Sequence, residues 1–240
     1  MSTPVRTQRT ANLRLLAGAR LGIASAALLA SSVATLAATN LVANGSFESP
    51  ILTPGSDYLV ASVGSSTITG WAVVGSPGQN VAMIEALYNL PDAAGINFAA
   101  ADGVQWIDMT GAGSNSTEGL QQSVTLAPGS YTLSFYVGNV VAAAAGLGTQ
   151  STIDLWLNSS FVQSFTNSGS GGTGINWQQF SYAFIASGLT SIEFRNADGA
   201  NDNFNGLDHV FLTAVPEPSM LAMSISGLLF LGVWLRRRPG

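Results

Sequence analysis

The sequence is unusual for what it lacks: it has no cysteine, no lysine and a single histidine, His209. Without cysteine the chain has no disulfide framework, no thiol nucleophile and no cysteine-ligated zinc site. One histidine cannot form a histidine metal cluster, and no Gly-x-Ser-x-Gly motif lies between a strand pattern and a helix pattern. Paired carboxylates remain, but any acidic chain supplies them and they indicate little. The sequence therefore favours a protein that is not an enzyme.

Permanent positive charge is almost confined to the two ends of the chain. Between Thr39 and Val215 the only arginine is Arg195, whereas twelve carboxylates lie in the same span, so the span has a net charge of about −11. Such a surface repels nucleic acid and anionic lipid, which excludes nucleic-acid binding. An acidic domain without lysine is typical of an extracellular protein that stays soluble through negative charge.

The first 38 residues have the pattern of a secretory signal. Four arginines and no acidic residue precede an apolar run from Leu21 to Leu36, and Ala37 and Ala38 offer small residues for cleavage. We expect residues 1–38 to be a helical signal peptide that is removed on export. An uncleaved N-terminal anchor is the alternative, against which the shortness of the run argues.

From Asn40 onward the pattern is that of β-structure. Short runs of alternating apolar and polar residues are separated by Gly, Pro, Asn and Ser. Met83–Leu90 is predicted to be a helical turn or a loop. Ten strands without crossover helices predict one antiparallel jelly-roll β-sandwich over residues 39–214. The predicted strands are Tyr58–Val63, Ile68–Val74, Val104–Met109, Leu120–Leu126, Ser130–Val137, Thr152–Asn158, Phe161–Thr166, Trp177–Ile185, Thr190–Arg195 and Leu207–Thr213.

Residues 215–240 form a distinct C-terminal tail. It contains, in order, a Pro-Glu-Pro motif, an uncharged apolar run and an arginine cluster: Pro216, Glu217, Pro218, then Leu221–Leu235, then Arg236, Arg237 and Arg238. As a helix the run would span about 22 Å, which is short of the ~30 Å hydrocarbon core of a bilayer. The arginines would stay cytoplasmic and leave the β-domain outside. We therefore expect a short transmembrane helix that anchors the protein temporarily.

This tail resembles the PEP-CTERM sorting signal of Gram-negative bacteria, in which the same three parts direct a protein to an exosortase that processes it near the motif. The resemblance implies an exosortase as partner, a transient stay in the inner membrane, and a final location at the cell surface or in the extracellular matrix. The motif is also catalogued as an ice-binding protein C-terminal motif, a label that describes the tail and is no evidence of ice binding. A plain tail anchor is the alternative.

Short motifs also run in order through the domain between the two ends. They include Asn40–Glu48 (NLVANGSFE), Ile68–Trp71 (ITGW), Gly129–Phe135 (GSYTLSF), Trp177–Phe180 (WQQF) and Leu207–Val210 (LDHV). Together they resemble the galactose-binding-like jelly rolls of many carbohydrate-binding modules, and more narrowly the exported choice-of-anchor domains. The resemblance implies a jelly-roll fold and a tendency to bind polysaccharide, but no reaction.

In related modules an N-terminal glutamate and a C-terminal aspartate help to bind a structural calcium ion where the chain ends meet. The resemblance implies this role for Glu48 and Asp208. The alternative is that both are surface carboxylates which cap turns. The segment Asp198–Asp208 looks like half of an EF-hand loop, but it lacks the first aspartate and the final glutamate, so a solvated turn is the favoured interpretation.

Two tryptophans are predicted to lie opposite the apolar residues of their strands. Trp106 shares a strand face with Asp108, and Trp156 shares one with Asp154. An exposed tryptophan beside a carboxylate can stack on a sugar ring and hydrogen-bond its hydroxyls. Trp106, Asp108, Trp156 and Asp154 are therefore the candidate glycan-binding residues. The alternative is that these faces pack under loops.

Taken together, these patterns predict a non-catalytic exported protein that binds glycans or helps to build extracellular polysaccharide. A protein-binding adhesin or filament subunit is the alternative function.

Overall fold

The computed structural model describes residues 38–54, 58–88, 97–113, 117–140, 150–169, 173–198 and 204–216. Nearly all of the predicted signal peptide lies outside these ranges, as do Glu217, Pro218 and the rest of the predicted tail. Within the ranges given, no helix is long and apolar enough to cross a membrane.

Nine β-strands make up the described part of the domain, and all of them pair antiparallel with their neighbours. They are β1 Tyr58–Ser62, β2 Ala72–Val74, β3 Asn80–Glu85, β4 Gln105–Asp108, β5 Gly119–Asn139, β6 Ser151–Leu157, β7 Ser160–Asn167, β8 Asn176–Asn196 and β9 Asn205–Ala214. The hydrogen-bonded order is β1-β3-β4-β9-β5-β8-β6-β7, and β2 pairs with β5.

The long strands β5 and β8 connect the two layers of the sandwich. Each has 21 residues, and they pair along nearly their whole length with one register shift between Leu126 and Gly129. Pro128 has no N–H for the ladder and Gly188 adopts a φ of 82°, so both strands bend there. On one side of the bend β5 pairs with β9, and on the other side it pairs with β2. The predicted all-β antiparallel jelly roll is therefore confirmed, with four of the predicted strands joined into two.

The main core lies between the layers. Phe135 of β5 is fully buried, and its ring centroid is 4.8 Å from that of Phe194 in β8 and 5.1 Å from that of Phe165 in β7. Tyr131 and Leu133 face the same core as Phe135, as period-two alternation predicts.

A second, smaller core covers the other face of β3 and β4. Its buried members are Ala82, Ile84, Phe98, Trp106 and Val140. The segment 97–104 lies over this face. A Cβ on Gly138 would lie 2.6 Å from the Trp177 ring, so glycine at this position is what lets that ring close the cluster. The domain therefore buries both faces of this part of its sheet.

The second half of β3, Met83–Glu85, falls in the segment Met83–Leu90 that was predicted to be a helical turn or a loop. That prediction is wrong for Met83–Glu85. Five of the six residues of β3 are buried, because one face packs on each core. A strand buried on both faces reads as a continuous apolar run, here from Val81 to Ile84, and shows no period of two.

The N-terminal segment docks on the last strand. The N–H of Leu41 donates to the carbonyl of Leu212 at 2.9 Å, and the N–H of Val210 donates to the carbonyl of Gly45 at 2.8 Å. The Asn40 side chain bridges Val210 and Leu212. Strand β9, which lies between β4 and β5, therefore brings both ends of the domain together.

Candidate functional site

Glu48, one of the two predicted calcium ligands, holds a loop from the N-terminal side. Its Oε1 accepts the backbone N–H groups of Val104 and Gln105 at 2.8 and 2.9 Å. Gln105 in turn donates from Nε2 to the carbonyl of Phe47 at 2.7 Å. The carboxylate therefore fixes the turn that leads into β4.

Asp208, the other predicted ligand, holds the same loop from the C-terminal side. It is fully buried, and its Oδ2 accepts the N–H groups of Ala101 and Asp102 at 2.8 and 2.9 Å. Its Oδ1 accepts the N–H of His209 at 2.6 Å. Burial raises the pKa of Asp208 to about 8, and the three N–H groups lower it in part.

These contacts do not form a calcium shell. Calcium takes about six to eight oxygen ligands, whereas backbone N–H groups, whose dipoles repel a cation, point at Glu48 and Asp208. Among the described residues, no group of three or more His, Cys, Asp or Glu side chains could hold a metal ion. Calcium binding by Glu48 and Asp208 therefore stays a prediction.

Calcium is expected to raise the melting temperature if Glu48 and Asp208 exchange these N–H groups for the ion, because a ligand bound only by the folded state stabilises it. The measurement is thermal unfolding in calcium and in EDTA. The rise should disappear in Asp208→Ala. Identical melting temperatures of the wild type in both buffers would exclude the site.

Asp102 and His209, whose backbone N–H groups bond to Asp208, belong to an aromatic and polar surface. We call Ser46, Asp102, Tyr136, His209 and Phe211 the His209 surface. The His209 ring lies 5.8 Å from that of Tyr136 and 6.2 Å from that of Phe211, centroid to centroid. His209 adopts a φ of 48° at a register shift between β5 and β9. A left-handed histidine inside a strand is uncommon, and such strain is concentrated at functional sites. Sequence patterns predicted none of this.

The three polar members of the His209 surface do not form a catalytic relay. Ser46 Oγ donates to Asp102 Oδ2 at 2.6 Å, and His209 Nδ1 lies 2.9 Å from the same oxygen. These hydrogen bonds hold the pKa of Asp102 below its ordinary value. In a hydrolase the serine hydroxyl contacts the histidine, which contacts the aspartate. Here serine and histidine share the carboxylate, so the His209 ring is not placed to activate Ser46.

Trp106 and Asp108, two of the four predicted glycan-binding residues, are not on the surface. Trp106 is 0% exposed, and its Nε1 donates to the carbonyl of Phe98 at 2.9 Å. Asp108 is 3% exposed and accepts from the Thr110 hydroxyl at 2.7 Å. The predicted alternation is correct, since Ile107 faces the main core. The predicted solvent exposure of Trp106 is wrong because the second core covers that face.

Trp156 and Asp154, the other two, do lie together on the outer face of β6. We call Asp154, Trp156, Phe161, Glu193 and Arg195 the Trp156 platform. Trp156 is partly exposed, and its ring lies 5.6 Å from that of Phe161, which is 52% exposed. The Arg195 guanidinium lies 4.6 Å from the Trp156 ring centroid, a cation–π contact.

Neighbouring side chains orient the polar groups of the Trp156 platform. Asp154 Oδ1 accepts from the Ser164 hydroxyl at 2.6 Å. Glu193 Oε1 accepts from Arg195 Nε, and its Oε2 accepts from Gln121 Nε2 at 3.1 Å. The carboxylates and the guanidinium are therefore held in place around two aromatic rings.

Trp156 also differs in its indole N–H from the other three tryptophans in the part of the chain that the structure describes. Trp71, Trp106 and Trp177 each donate from Nε1 to a backbone carbonyl. Nε1 of Trp156 is buried and has no hydrogen-bond partner. An orphaned donor is rare and costs stability. The position of the Trp156 ring therefore leaves the hydrogen-bonding capacity of its indole N–H unused within the fold.

A shallow, open cavity of about 330 Å³ adjoins the Trp156 platform through Gln121. Its lining is mostly small or polar: Ser66, Gly70, Trp71, Ala72, Gln121, Gln122 and Ser123. Gln121, which lines the cavity, also donates a hydrogen bond to Glu193 of the Trp156 platform.

No protein-family profile matches the chain, and no curated protein matches its sequence. Among solved structures, TmCBM61 in complex with β-1,4-galactotriose is 15% identical, with 74% of this chain and 100% of that chain covered and a TM-score of 0.43. A family 35 carbohydrate-binding module from Clostridium thermocellum is 10% identical, with coverages of 65% and 99% and a TM-score of 0.39. The K1 cleaved adhesin domain of Lys-gingipain from Porphyromonas gingivalis is 16% identical, with coverages of 67% and 100% and a TM-score of 0.47. At these values the overlaps assign neither ligand nor activity to this chain.

Proposed function

We propose that this protein is a non-catalytic, exported glycan-binding protein and that the Trp156 platform is its binding surface. The observation that carries the proposal is the pair of neighbouring rings, Trp156 and the exposed Phe161, inside a rim of oriented charged groups. A pyranose ring has an apolar face that stacks on aromatic rings and hydroxyls that bond to carboxylates and guanidinium groups.

The rim supports the proposal because it is preorganised. Asp154 offers an acceptor and Arg195 offers a donor to a sugar hydroxyl, while the buried Glu193 holds Arg195 in place. Ser164 and Gln121 already hold the two carboxylates. A ligand that binds there pays little to order these side chains.

The same contacts favour binding without catalysis. A glycosidase needs two carboxyl groups that act on the glycosidic bond from opposite sides. Both oxygens of Glu193 are instead used inside the protein, by Arg195 and Gln121. Asp154 would be left without a second free carboxyl group on the Trp156 platform.

Replacing Phe161 with alanine should weaken glycan binding by about tenfold, the value of one lost stacking contact. Because Phe161 is 52% exposed, the free energy of unfolding should change by less than about 1 kcal/mol. The measurements are affinity for a panel of cellulose, galactan and alginate, and urea unfolding.

Tyr58→Ala is the matched control, since Tyr58 is 45% exposed on β1, outside the Trp156 platform. This variant should bind like the wild type. Equal binding by wild type and Phe161→Ala, or no binding of any glycan by the wild type, would contradict the proposal.

We further propose that the C-terminal tail sorts the protein through an exosortase. In support, the chain is exposed to solvent at the end of β9, at Ala214, Val215 and Pro216. A processing enzyme could therefore reach the chain that follows. The secreted protein is expected to begin near residue 38 or 39 and to end near Pro218.

Intact-mass analysis of protein recovered outside exosortase-containing cells measures both ends. A variant with alanine at positions 216, 217 and 218 should keep its tail and stay in the membrane fraction. Full-length wild-type protein in the inner membrane as the sole species would contradict the sorting proposal.

A further inference from the structure

Three exposed apolar residues lie at the bend of β5 and β8 or beside it, and we call Ile185, Leu189 and Val215 the apolar corner. Ile185 is 84% exposed, Leu189 is 71% exposed and Val215 is 43% exposed. Ile185 is paired with Ser130, whose carbonyl accepts the N–H of Val215 at 2.8 Å. Since β5 lies between β8 and β9, Ile185 and Val215 flank it at about two strand spacings, or ~10 Å.

The apolar corner is free of charge in a strongly acidic domain. No charged residue occurs in segments 125–131, 185–190 or 213–216. The first carboxylate beyond Leu189 in β8 is Glu193, four residues on and so about 13 Å away. This separation exceeds the ~8 Å Debye length at physiological ionic strength. This separation holds for Ile185 and Leu189 along their strand, whereas Glu217 follows Val215 by two residues.

Two other strongly exposed apolar residues of the domain lie close to carboxylates. Ile51 is 85% exposed and Leu87 is 67% exposed. Ile51 lies three residues from Glu48, and Glu85 Oε2 accepts the N–H of Leu87 at 2.9 Å. High exposure alone does not single out the apolar corner, whereas its place beside the point where the chain leaves β9 does.

Both ends of the domain leave at the apolar corner. Strand β9 ends there at Ala214, paired with Tyr131. The N-terminal segment runs antiparallel to β9, since Leu41 bonds to Leu212 and Gly45 bonds to Val210, and so Ala38 lies toward the same end. The sequence then continues from Pro216 to an apolar run that starts at Leu221. Five residue steps reach at most about 17 Å.

We infer that the apolar corner rests on the lipid surface while the tail is in the membrane. The occupant is the headgroup and upper acyl region of the bilayer, which accepts exposed apolar side chains. A membrane entered at Leu221 lies within reach of Pro216, and Ile185 lies across β5 from Val215, the residue before Pro216. The inference rests on the proposed membrane insertion of the tail and is independent of glycan binding.

The test uses the full-length chain in vesicles of phosphatidylcholine with a minority of phosphatidylglycerol. Because the sequence has no cysteine, single variants Ile185→Cys and Leu189→Cys each take one environment-sensitive fluorophore. Ile51→Cys is the control of equal exposure. Ser168→Cys, an exposed position after β7 at the opposite end of the sandwich, is the distant control. Quenching by a nitroxide on the lipid headgroup is measured at each position.

Quenching on the order of threefold stronger at Ile185 and Leu189 than at Ile51 and Ser168 is expected, because an interfacial side chain lies within ~5–10 Å of the headgroup boundary. A label at Leu228→Cys, quenched by a nitroxide on the acyl chain, reports tail insertion separately. An inserted tail with equal quenching at all four domain positions would overturn the inference and leave the anchor proposal intact. A solvent-exposed Leu228 label would overturn both. Concentration-dependent self-quenching at Ile185 in detergent would assign the apolar corner to a second copy instead and overturn the inference.

Discussion

Replacing Trp106 with alanine is expected to lower the free energy of unfolding by about 3–5 kcal/mol, the usual cost of deleting a buried tryptophan. Its ring is fully buried, is packed 5.8 Å from that of Trp177, and closes the second core together with Phe98. The loss leaves a cavity and removes the hydrogen bond to the Phe98 carbonyl. Urea unfolding followed by far-ultraviolet circular dichroism measures the effect.

A matched comparison separates burial from aromatic character. Phe161→Ala removes an exposed ring and should cost less than about 1 kcal/mol in the same measurement. Trp106→Phe keeps most of the volume, so its cost should fall between the two. A Trp106→Ala loss below about 1 kcal/mol would mean that the segment 97–104 does not cover the outer face of β4.

The free energy of unfolding is expected to fall by a few kcal/mol between about pH 4 and pH 8 in EDTA. Burial raises the pKa of three carboxyl groups: Asp198 to about 6, Glu118 to about 7 and Asp208 to about 8. Between its ordinary pKa and its raised pKa, each group binds a proton in the folded state and not in the unfolded state. The stability is therefore fully present below about pH 4 for these groups and is lost as the pH rises through the raised values.

Asp102 acts in the opposite direction, but at lower pH. Hydrogen bonds from Ser46 and His209 lower its pKa, so its contribution is present above the ordinary value of 3.8 and is lost below it. The two effects together place the stability maximum near pH 4–5. Urea unfolding at a series of pH values measures the curve. A free energy of unfolding that rises between pH 5 and pH 8 would contradict the assignment.

Glu118→Gln isolates one of the three groups. The Glu118 side chain is fully buried, and neither carboxylate oxygen has a hydrogen-bond partner. Its neutral isostere cannot titrate, so the part of the pH dependence between about pH 4.5 and pH 7 should shrink in the variant. Ser123→Ala, an exposed position in β5, the strand that follows Glu118, should leave the curve unchanged.

The fold class was predictable because alternation is a local property. Tyr131, Leu133 and Phe135 face one core in the structure, as the period of two requires. Exposure is not local. Whether the face opposite Ile107 meets water depends on the segment 97–104 and on Trp177, which lie elsewhere in the sequence. Trp106 was therefore placed on the correct face and assigned the wrong environment.

The His209 surface illustrates a second limit. A register shift and a left-handed backbone at His209 decide where its ring points. Asp208 then binds the backbone of both Asp102 and His209, and this contact brings their side chains together. The two residues are 107 positions apart, and no spacing in the sequence indicates that they meet. For Trp156 the relevant neighbours lie in the adjacent strands β7 and β8. Trp156 and Asp154 therefore lie on the outer face of β6, where the alternation pattern placed them.

The position of β9 has a consequence for the order in which the domain can form. The last strand of the domain is inserted between β4 and β5 and also receives the N-terminal segment through Leu41. Until β9 has been delivered, β4 has only β3 beside it, β5 lacks its neighbour on this side, and the N-terminal segment has no strand to dock on. If the chain is exported N-terminus first, as the sequence predicts, this layer cannot be completed until nearly all of the domain has crossed the membrane.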